Sequence, residues 1–454
     1  MHAFAEFLTL PVLIIAGFLL LAGGTSFFDQ FELHATEPLH AFLRQRFFRN
    51  PQATSSLLAT IAGGLITVTS ITFSLLLLAV QQAAAALTPQ VFDQFLRRRS
   101  NRSYFGFFVG LGVYTLVVLA TVNPPFNPVF GASVALLLTV VALTLMILLL
   151  YTTINQMRPA VVIEAIHDHI LLARERQQVR LPATRRAPRL SAAATPVRAW
   201  THGYVTKMRL DALDGAARRA RGEAEVVLLA PIGTFVAFED VLAEVRANDP
   251  DDAASLALAV REAIRIELQR DLDTDPAYGI DQLAIIAWTS VSTAKSDPAP
   301  GLLVIRALRD LLARWSAGDA GRAPGVDAPG SVPVVYPDDL YKQVLDALET
   351  LAVVASESMQ PQTAAELIRT LALIFGGLPP GQQERAGDLI RRSLSALGEH
   401  VLTAELEAAL TTLIDTLDRA GRPETARLVR GARDRLGASI GRLGSRATRA
   451  SGER

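Results

Sequence analysis

Two long tracts without an ionisable side chain constrain this chain more than any other feature. Neither residues 50–92 nor residues 103–157 contain Asp, Glu, Lys or Arg, and both are rich in Leu, Val, Ile and Ala. Crossing the hydrocarbon core takes about twenty apolar residues in a helix. A third apolar segment lies near the N-terminus, and NPPFNP at 123–128 interrupts the second tract because prolines end helices. The sequence therefore predicts four transmembrane helices, at about residues 7–28, 56–82, 104–122 and 130–153.

The first segment has a competing interpretation as a signal peptide. No Lys or Arg precedes it, and its apolar run is long for a signal sequence, so we expect a retained span. Arginines then predict the orientation, because short cytoplasmic loops are rich in Lys and Arg. The stretch LTPQVFDQFLRRRSNRS, residues 87–103, is predicted to be a short interfacial helix with its apolar residues on one side: Val91, Phe92, Phe95 and Leu96. It ends in arginines that reach anionic lipid headgroups: Arg97, Arg98, Arg99 and Arg102. We expect both termini to be cytoplasmic.

The rest of the chain is predicted to be a cytoplasmic α+β portion. GYVTKMRL and AEVVLLA are β-rich, and PIGTFVAFEDVLAEV supplies a glycine-centred turn, whereas apolar residues after Pro250 recur at helical spacing. The fold class is therefore an α-helical multi-pass membrane protein with four transmembrane helices, a small β unit and a helical C-terminal region. The expected domains are a transmembrane domain (1–157), a juxtamembrane helix and basic linker (158–198), a small β-barrel-like unit (199–246), a helical domain (247–316), a linker (317–337), a C-terminal helical domain (338–436) and a disordered tail (437–454).

The second span carries an unusual number of hydroxyls for a lipid-embedded helix. Thr60, Thr67, Ser74 and Gln81 recur every seven residues, with Gly63 and Ser70 beside them. Seven residues make nearly two helical turns, so these six residues share one face. We call them the seam. Three interpretations compete: packing against neighbouring helices, the lining of a water-filled pore formed by several copies, and a sensor helix that moves against the first span.

The extent of the seam favours the pore. From Thr60 to Gln81 a helix rises about 30 Å, which matches the hydrocarbon thickness, and a packing motif need not run the full depth. The third span has its own packing device, Gly106, Gly110 and Gly112 in YFGFFVGLGVY, which leaves the second span freer for another role. We therefore expect a homo-oligomer in the lipid bilayer.

Most catalytic and metal chemistry has no support in the sequence. There is no cysteine, and no Walker, dinucleotide-binding, nucleophile-elbow or zinc-protease motif. His167 and His169 alone are a weak metal signal. Four acids, Asp271, Asp273, Asp275 and Asp281, form either a metal or acid/base site or, as we favour, the cap of the following helix. We predict no enzymatic activity, no cofactor, no metal and no nucleic-acid partner.

Several stretches resemble a bacterial family of predicted integral membrane proteins, known as domain of unknown function 2254. They are TSITFSLLLLAVQQAAAALTPQVFDQFLRRR, GFFVGLGVYTLVVL, HGYVTKMRL with PIGTFVAFEDVLAEV, and DPAYGIDQLAIIAWTSVSTAKSDP. The resemblance covers about residues 5–315 and is looser beyond. It implies the membrane topology, with the protein in a bacterial inner membrane, and supplies no biochemical activity.

The sequence thus predicts an oligomeric channel-like pore, lined by the second span and controlled by the cytoplasmic portion. The alternative is a membrane-anchored scaffold or sensor without transport activity, which binds a protein partner of unknown identity through the C-terminal helices.

Overall fold

The computed structural model describes residues 2–30, 37–86, 99–179, 184–185, 187–292, 297–319, 331–397 and 400–438. The chain forms two compact units, residues 1–162 and 163–454, and each is described by itself. Residues 87–98 of the predicted interfacial helix lie outside the described residues, Arg97 and Arg98 among them, as does most of the predicted disordered tail.

The first unit contains five helices among its described residues. They are α1 (His2–Gln30), α2 (Glu37–Arg46), α3 (Pro51–Ala86), α4 (Arg99–Thr121) and α5 (Val129–Gln156). Four of them are long and apolar enough to cross a membrane, through Thr9–Gln30, Pro51–Leu78, Arg102–Thr121 and Val129–Asn155. The four predicted spans are therefore confirmed.

Helix α4 is the central helix of this unit, since it packs against α1, α3 and α5. Its inner face is completely buried at Leu111 and Tyr114. The turn between α4 and α5 closes with the Phe126 amide donating to the Asn123 carbonyl at 2.7 Å. This short connection places the two helices side by side.

Polar groups join three helices at one end of the bundle. The buried Tyr114 hydroxyl of α4 lies 3.0 Å from the carbonyl of Gly131 in α5 and 3.3 Å from the hydroxyl of Thr25 in α1. Asp29, near the end of α1, accepts hydrogen bonds from the Phe130 and Gly131 amides at 2.8 and 2.9 Å. A carboxylate here satisfies the free amides of the first turn of α5 and faces the positive end of its dipole.

Replacing Asp29 with alanine is expected to destabilise the first unit by about 1–2 kcal/mol, the usual cost of losing a cap that accepts two amide hydrogen bonds. Asp29→Asn keeps an acceptor and should lose less. The measurement is the thermal unfolding of purified full-length variants in detergent, followed by circular dichroism. Equal melting temperatures for wild type and Asp29→Ala would contradict the capping role.

The second unit begins within helix α6 (Pro159–Gln178) and contains two small sheets. The five-stranded sheet has the order β1-β8-β4-β6-β2, with β8 parallel to both β1 and β4 and the other pairs antiparallel. The three-stranded sheet has the antiparallel order β5-β3-β7. The strands are β1 (Thr184–Arg185), β2 (Ala194–Arg198), β3 (Gly203–Met208), β4 (Ala224–Leu228), β5 (Phe235–Val236), β6 (Val241–Ala247), β7 (Ile264–Glu267) and β8 (Val332–Val335).

Two helices complete the core of these sheets. Helix α8 (Pro250–Ala263) packs on β6 and β2, and α7 (Leu210–Ala217) packs on α8 and β8. The common core buries Leu213, Leu242 and Val260 completely.

The β region differs from the predicted unit of 199–246. It forms two sheets rather than one barrel-like unit, and it recruits β1 and β2 from the predicted basic linker and β7 from the predicted helical domain. Strand β8 lies within the predicted linker 317–337. Its four residues, VPVV, are too few to show a period, and their strand conformation depends on pairing with β4, which buries Val334 completely.

The remaining helices of the second unit stack in two layers. They are α9 (Pro276–Val291), α10 (Pro298–Asp319), α11 (Leu340–Glu357), α12 (Pro361–Ile374), α13 (Pro380–Ala396), α14 (Ala404–Arg419) and α15 (Pro423–Ala438). One layer runs α9, α11, α13, α15 and the other α10, α12, α14, with each helix packed on the next of its own layer. Such stacking of helix pairs is the arrangement of α-solenoid repeats.

Candidate functional site

Helix α3 has one face that packs inside the first unit. Leu58, Ile61, Ala62, Leu65 and Leu76 are buried there, against α4 and α5. These residues recur at three- and four-residue spacing, as one face of a helix requires.

The seam lies on the opposite side of α3. At 100° per residue its mean direction is about 160° away from that of the packed face. All six of its members are exposed: Thr60, Gly63, Thr67, Ser70, Ser74 and Gln81. Exposed apolar residues border it on both sides, Ile66 and Leu77 on one and Ile71 and Leu78 on the other. The seam is therefore a polar strip on the outer surface of this bundle.

Most seam hydroxyls have hydrogen-bonding capacity to spare. Thr60 donates to the Ser56 carbonyl at 2.8 Å. Within the described part of the chain, the hydroxyls of Thr67, Ser70 and Ser74 have no hydrogen-bond partner. A Cβ atom built at Gly63 would meet nothing within 4 Å. The strip can therefore be approached closely by another helix or by water, whereas in lipid its hydroxyls could bond only to carbonyls of their own helix.

The three glycines predicted for packing have different surroundings. A Cβ atom on Gly106 would lie 2.8 Å from the Pro11 Cα of α1, and one on Gly110 would overlap the Phe18 ring. A Cβ atom on Gly112 would lie 3.9 Å from Ile66 Cγ1, an ordinary contact. Gly106 and Gly110 thus lie where α1 and α4 touch, whereas Gly112 lies near α3. Of the interface arginines, Arg99 begins α4 and Arg102 lies in its first turn.

A buried ionic cluster occupies the second unit. Arg270 Nε donates to Asp275 at 2.7 Å and Arg270 Nη1 to Asp281 at 2.5 Å, and its guanidinium lies 5.5 and 4.8 Å from the ring centres of Tyr204 and Tyr278. We call these five residues the Arg270 cluster. The side chains of Arg270 and Asp275 are 10% and 3% exposed. The guanidinium thus joins β3 to the start of α9.

Burial and the contacts within the Arg270 cluster shift the pKa values of Arg270 and Asp281. Burial would lower the pKa of Arg270, but its hydrogen bonds and charge attraction to Asp275 and Asp281 prevail and raise it. Partial burial raises the pKa of Asp281, against the opposing effect of Arg270. Asp275 also caps α9 by accepting from the Tyr278 amide at 3.1 Å, which confirms the predicted capping role.

Glycine is required where the backbone meets this cluster. Gly233 has φ +94°, and a Cβ atom there would lie 2.8 Å from Arg270 Nη2 and from both Asp275 carboxylate oxygens. Sequence reasoning missed the cluster, although Tyr204 lies in the quoted motif GYVTKMRL, and Asp275, Tyr278 and Asp281 lie in DPAYGIDQLAIIAWTSVSTAKSDP. Gly233, which meets the cluster, lies in PIGTFVAFEDVLAEV. The stretch that contains Arg270 gave no signal of a buried cation.

The paired histidines of α6 contact different acids. His167 Nε2 lies 2.9 Å from Asp310, and His169 Nδ1 lies 3.2 Å from Asp273. Among the described residues, no group of three His, Cys, Asp or Glu side chains is placed to hold a metal ion.

Four membrane-spanning helices joined to a second unit of two sheets and a helical stack define a multi-pass integral membrane protein. The family model of predicted membrane proteins with domain of unknown function 2254 matches residues 5–372, and the chain belongs to this family. The match extends past the expected residue 315 into α12. No curated protein and no solved structure matches the chain.

Proposed function

We propose that this protein is an oligomeric, channel-like membrane protein in which several copies of α3 surround a shared water-filled path. One observation carries the proposal: the seam is exposed, on the side of α3 opposite the face that packs within the unit. Packing inside a single chain therefore does not account for these polar residues.

The depth of the seam supports a path that crosses the bilayer. Its ends, Thr60 and Gln81, are 21 residues apart in one continuous helix, and at 1.5 Å per residue this is about 30 Å. The apolar residues on both sides of the seam suit contact with neighbouring copies, so that only the polar strip faces the axis.

The chemistry of the seam suits an uncharged lining. Hydroxyl and amide oxygens can replace part of the hydration shell of an ion, and no full charge is required. A proton-coupled carrier is disfavoured because such carriers use ionisable groups inside the membrane. In this proposal the protein lies in a bacterial inner membrane with its second unit in the cytoplasm, where it assembles or gates the pore. The arginines before α4 then meet anionic headgroups.

Because the sequence contains no cysteine, single cysteines can be introduced directly. Ser74→Cys places a thiol on the seam, and Leu75→Cys, a neighbouring exposed residue about 100° around the helix, is the matched control. In planar bilayers we expect wild-type currents, and we expect a charged, water-soluble methanethiosulfonate reagent to reduce the Ser74→Cys current at least tenfold faster than the Leu75→Cys current. Oxidation should also join Ser74→Cys subunits into disulfide-linked dimers.

The proposal fails if the purified protein is a monomer that carries no current, or if both cysteines react at the same rate. The first outcome would favour the scaffold or sensor. The two-layer helical stack supports that second candidate, since stacked helix pairs present extended surfaces to protein partners.

A further inference from the structure

An apolar cavity lies among the membrane-spanning helices, and part of its wall belongs to their packed core. It has a volume of about 220 Å³ and lies between α3, α4 and α5. Its walls include Leu65, Val68 and Phe73 of α3, Phe108 of α4, and Ala142 and Met146 of α5.

The cavity opens on the outer surface of the bundle. Four of its lining residues are exposed: Thr60, Gly64 and Val68 on α3 and Leu143 on α5. All lie within the segments that can cross a membrane, so the opening lies at the depth of the lipid hydrocarbon. Only Thr60 is shared with the seam, and the cavity lies towards the packed face of α3.

The threonines in the walls do not make the cavity polar. The hydroxyls of Thr60 and Thr139 donate to the carbonyls of Ser56 and Ala135, at 2.8 and 2.7 Å, and the Thr72 hydroxyl contacts the Met146 sulfur at 3.8 Å. A buried water molecule needs two to four polar partners. Thr69 is the fourth threonine of the wall, and its hydroxyl has no hydrogen-bond partner among the described residues. One free hydroxyl does not supply the partners that a water molecule needs, so the site suits a hydrocarbon rather than water or an ion.

We propose that this cavity binds the acyl chain of a bilayer lipid. Its 220 Å³ is about seven times the ~30 Å³ that a small group such as water occupies in a liquid, which is room for a segment of about seven carbons. A chain inside it makes the dispersion contacts that an unfilled apolar void forfeits. The bilayer supplies this ligand at the opening of the cavity, and the bound chain bridges α3 and α5. This role is independent of the proposed conduction.

Gly64 provides the variant that fills the cavity. A Cβ atom built there meets nothing within 4 Å, so Gly64→Leu adds a side chain that starts in open space at the wall of the cavity. Gly23→Leu is the matched control, because Gly23 is an exposed glycine of α1, also with open space around it. Leu143→Trp fills the opening from the opposite wall and replaces Gly64→Leu if that variant does not fold.

The test uses the full-length protein in phosphatidylcholine vesicles whose acyl chains carry a mid-chain diazirine. After irradiation, mass spectrometry locates the labelled residues. We expect labelling to be concentrated at Val68, Leu143 and Met146, and to fall at least fivefold in Gly64→Leu but not in Gly23→Leu. Equal labelling of wild type and Gly64→Leu, or labelling no stronger in the cavity than at the exposed Leu13 and Leu137, would overturn the proposal.

Discussion

Replacing Gly106 with alanine is expected to destabilise the first unit by about 1–3 kcal/mol, the range for an added methyl group in a closely packed contact. The new Cβ atom would lie 2.8 Å from the Pro11 Cα, and a backbone atom cannot move aside as a flexible side chain can. Helices α1 and α4 would have to separate along their contact. Because close packing is a main source of helix association in lipid, little else compensates.

Gly112→Ala is the matched control on the same helix. Its Cβ atom would make only an ordinary contact with Ile66, and alanine favours the helix by roughly 0.5–1 kcal/mol over glycine. We therefore expect this variant to melt at or above the wild-type temperature. The measurement is thermal unfolding by circular dichroism. Tryptophan fluorescence would not report on the first unit, because all three tryptophans lie in the second: Trp200, Trp288 and Trp315. Equal melting temperatures for Gly106→Ala and Gly112→Ala would show that the close contact between Gly106 and Pro11 does not limit the stability of the first unit.

Replacing Arg270 with methionine is expected to cost the second unit about 3–5 kcal/mol, because Asp275 would remain as a buried charge without its cation. Methionine keeps the length of the side chain but neither the charge nor the two hydrogen bonds. Arg270→Lys keeps the charge but loses the fork that reaches both carboxylates and the stacking on two rings, so it should lie between wild type and methionine.

The three tryptophans provide the measurement, since their fluorescence during urea unfolding of the full-length protein reports on the second unit alone. Arg265→Met is the control. Its ion pair with Glu267 is exposed on both sides, so its loss should cost no more than about 1 kcal/mol. Similar unfolding midpoints for Arg270→Met and Arg265→Met would show that the Arg270 cluster contributes little to stability.

The membrane helices were predictable because the sequence signal for each one lies within the helix itself. A run of about twenty apolar residues has few alternatives to a transmembrane helix, so the spans followed from composition alone. The cap at Asp275 was predictable for the same reason, since it depends on the few residues at the start of α9. Strand β8 was not, because its strand conformation comes from pairing with β4, more than a hundred residues earlier in the chain.

The seam and the Arg270 cluster were also predictable from the sequence only in part. The heptad spacing predicted that the six residues of the seam share one face, but spacing does not say which face of a helix its neighbours cover. The positions of α4 and α5 decided that, because these helices cover Leu58, Leu65 and Leu76 and leave Thr67 and Ser74 exposed. In the Arg270 cluster, both carboxylates and Tyr278 follow Arg270 closely in sequence. Tyr204, in contrast, lies in β3 and meets the guanidinium only in the fold.

By itself, the sequence determined that this protein lies in a membrane, crosses it with four helices and belongs to its family. Burying an ionisable group in lipid is costly, so long segments without ionisable residues indicate the membrane helices directly. Only the tertiary structure decided which side of α3 is exposed, where the apolar cavity lies and that Tyr204 packs on Arg270. These features depend on contacts between distant segments, and the energy of such a contact exists only once the chain has brought its partners together.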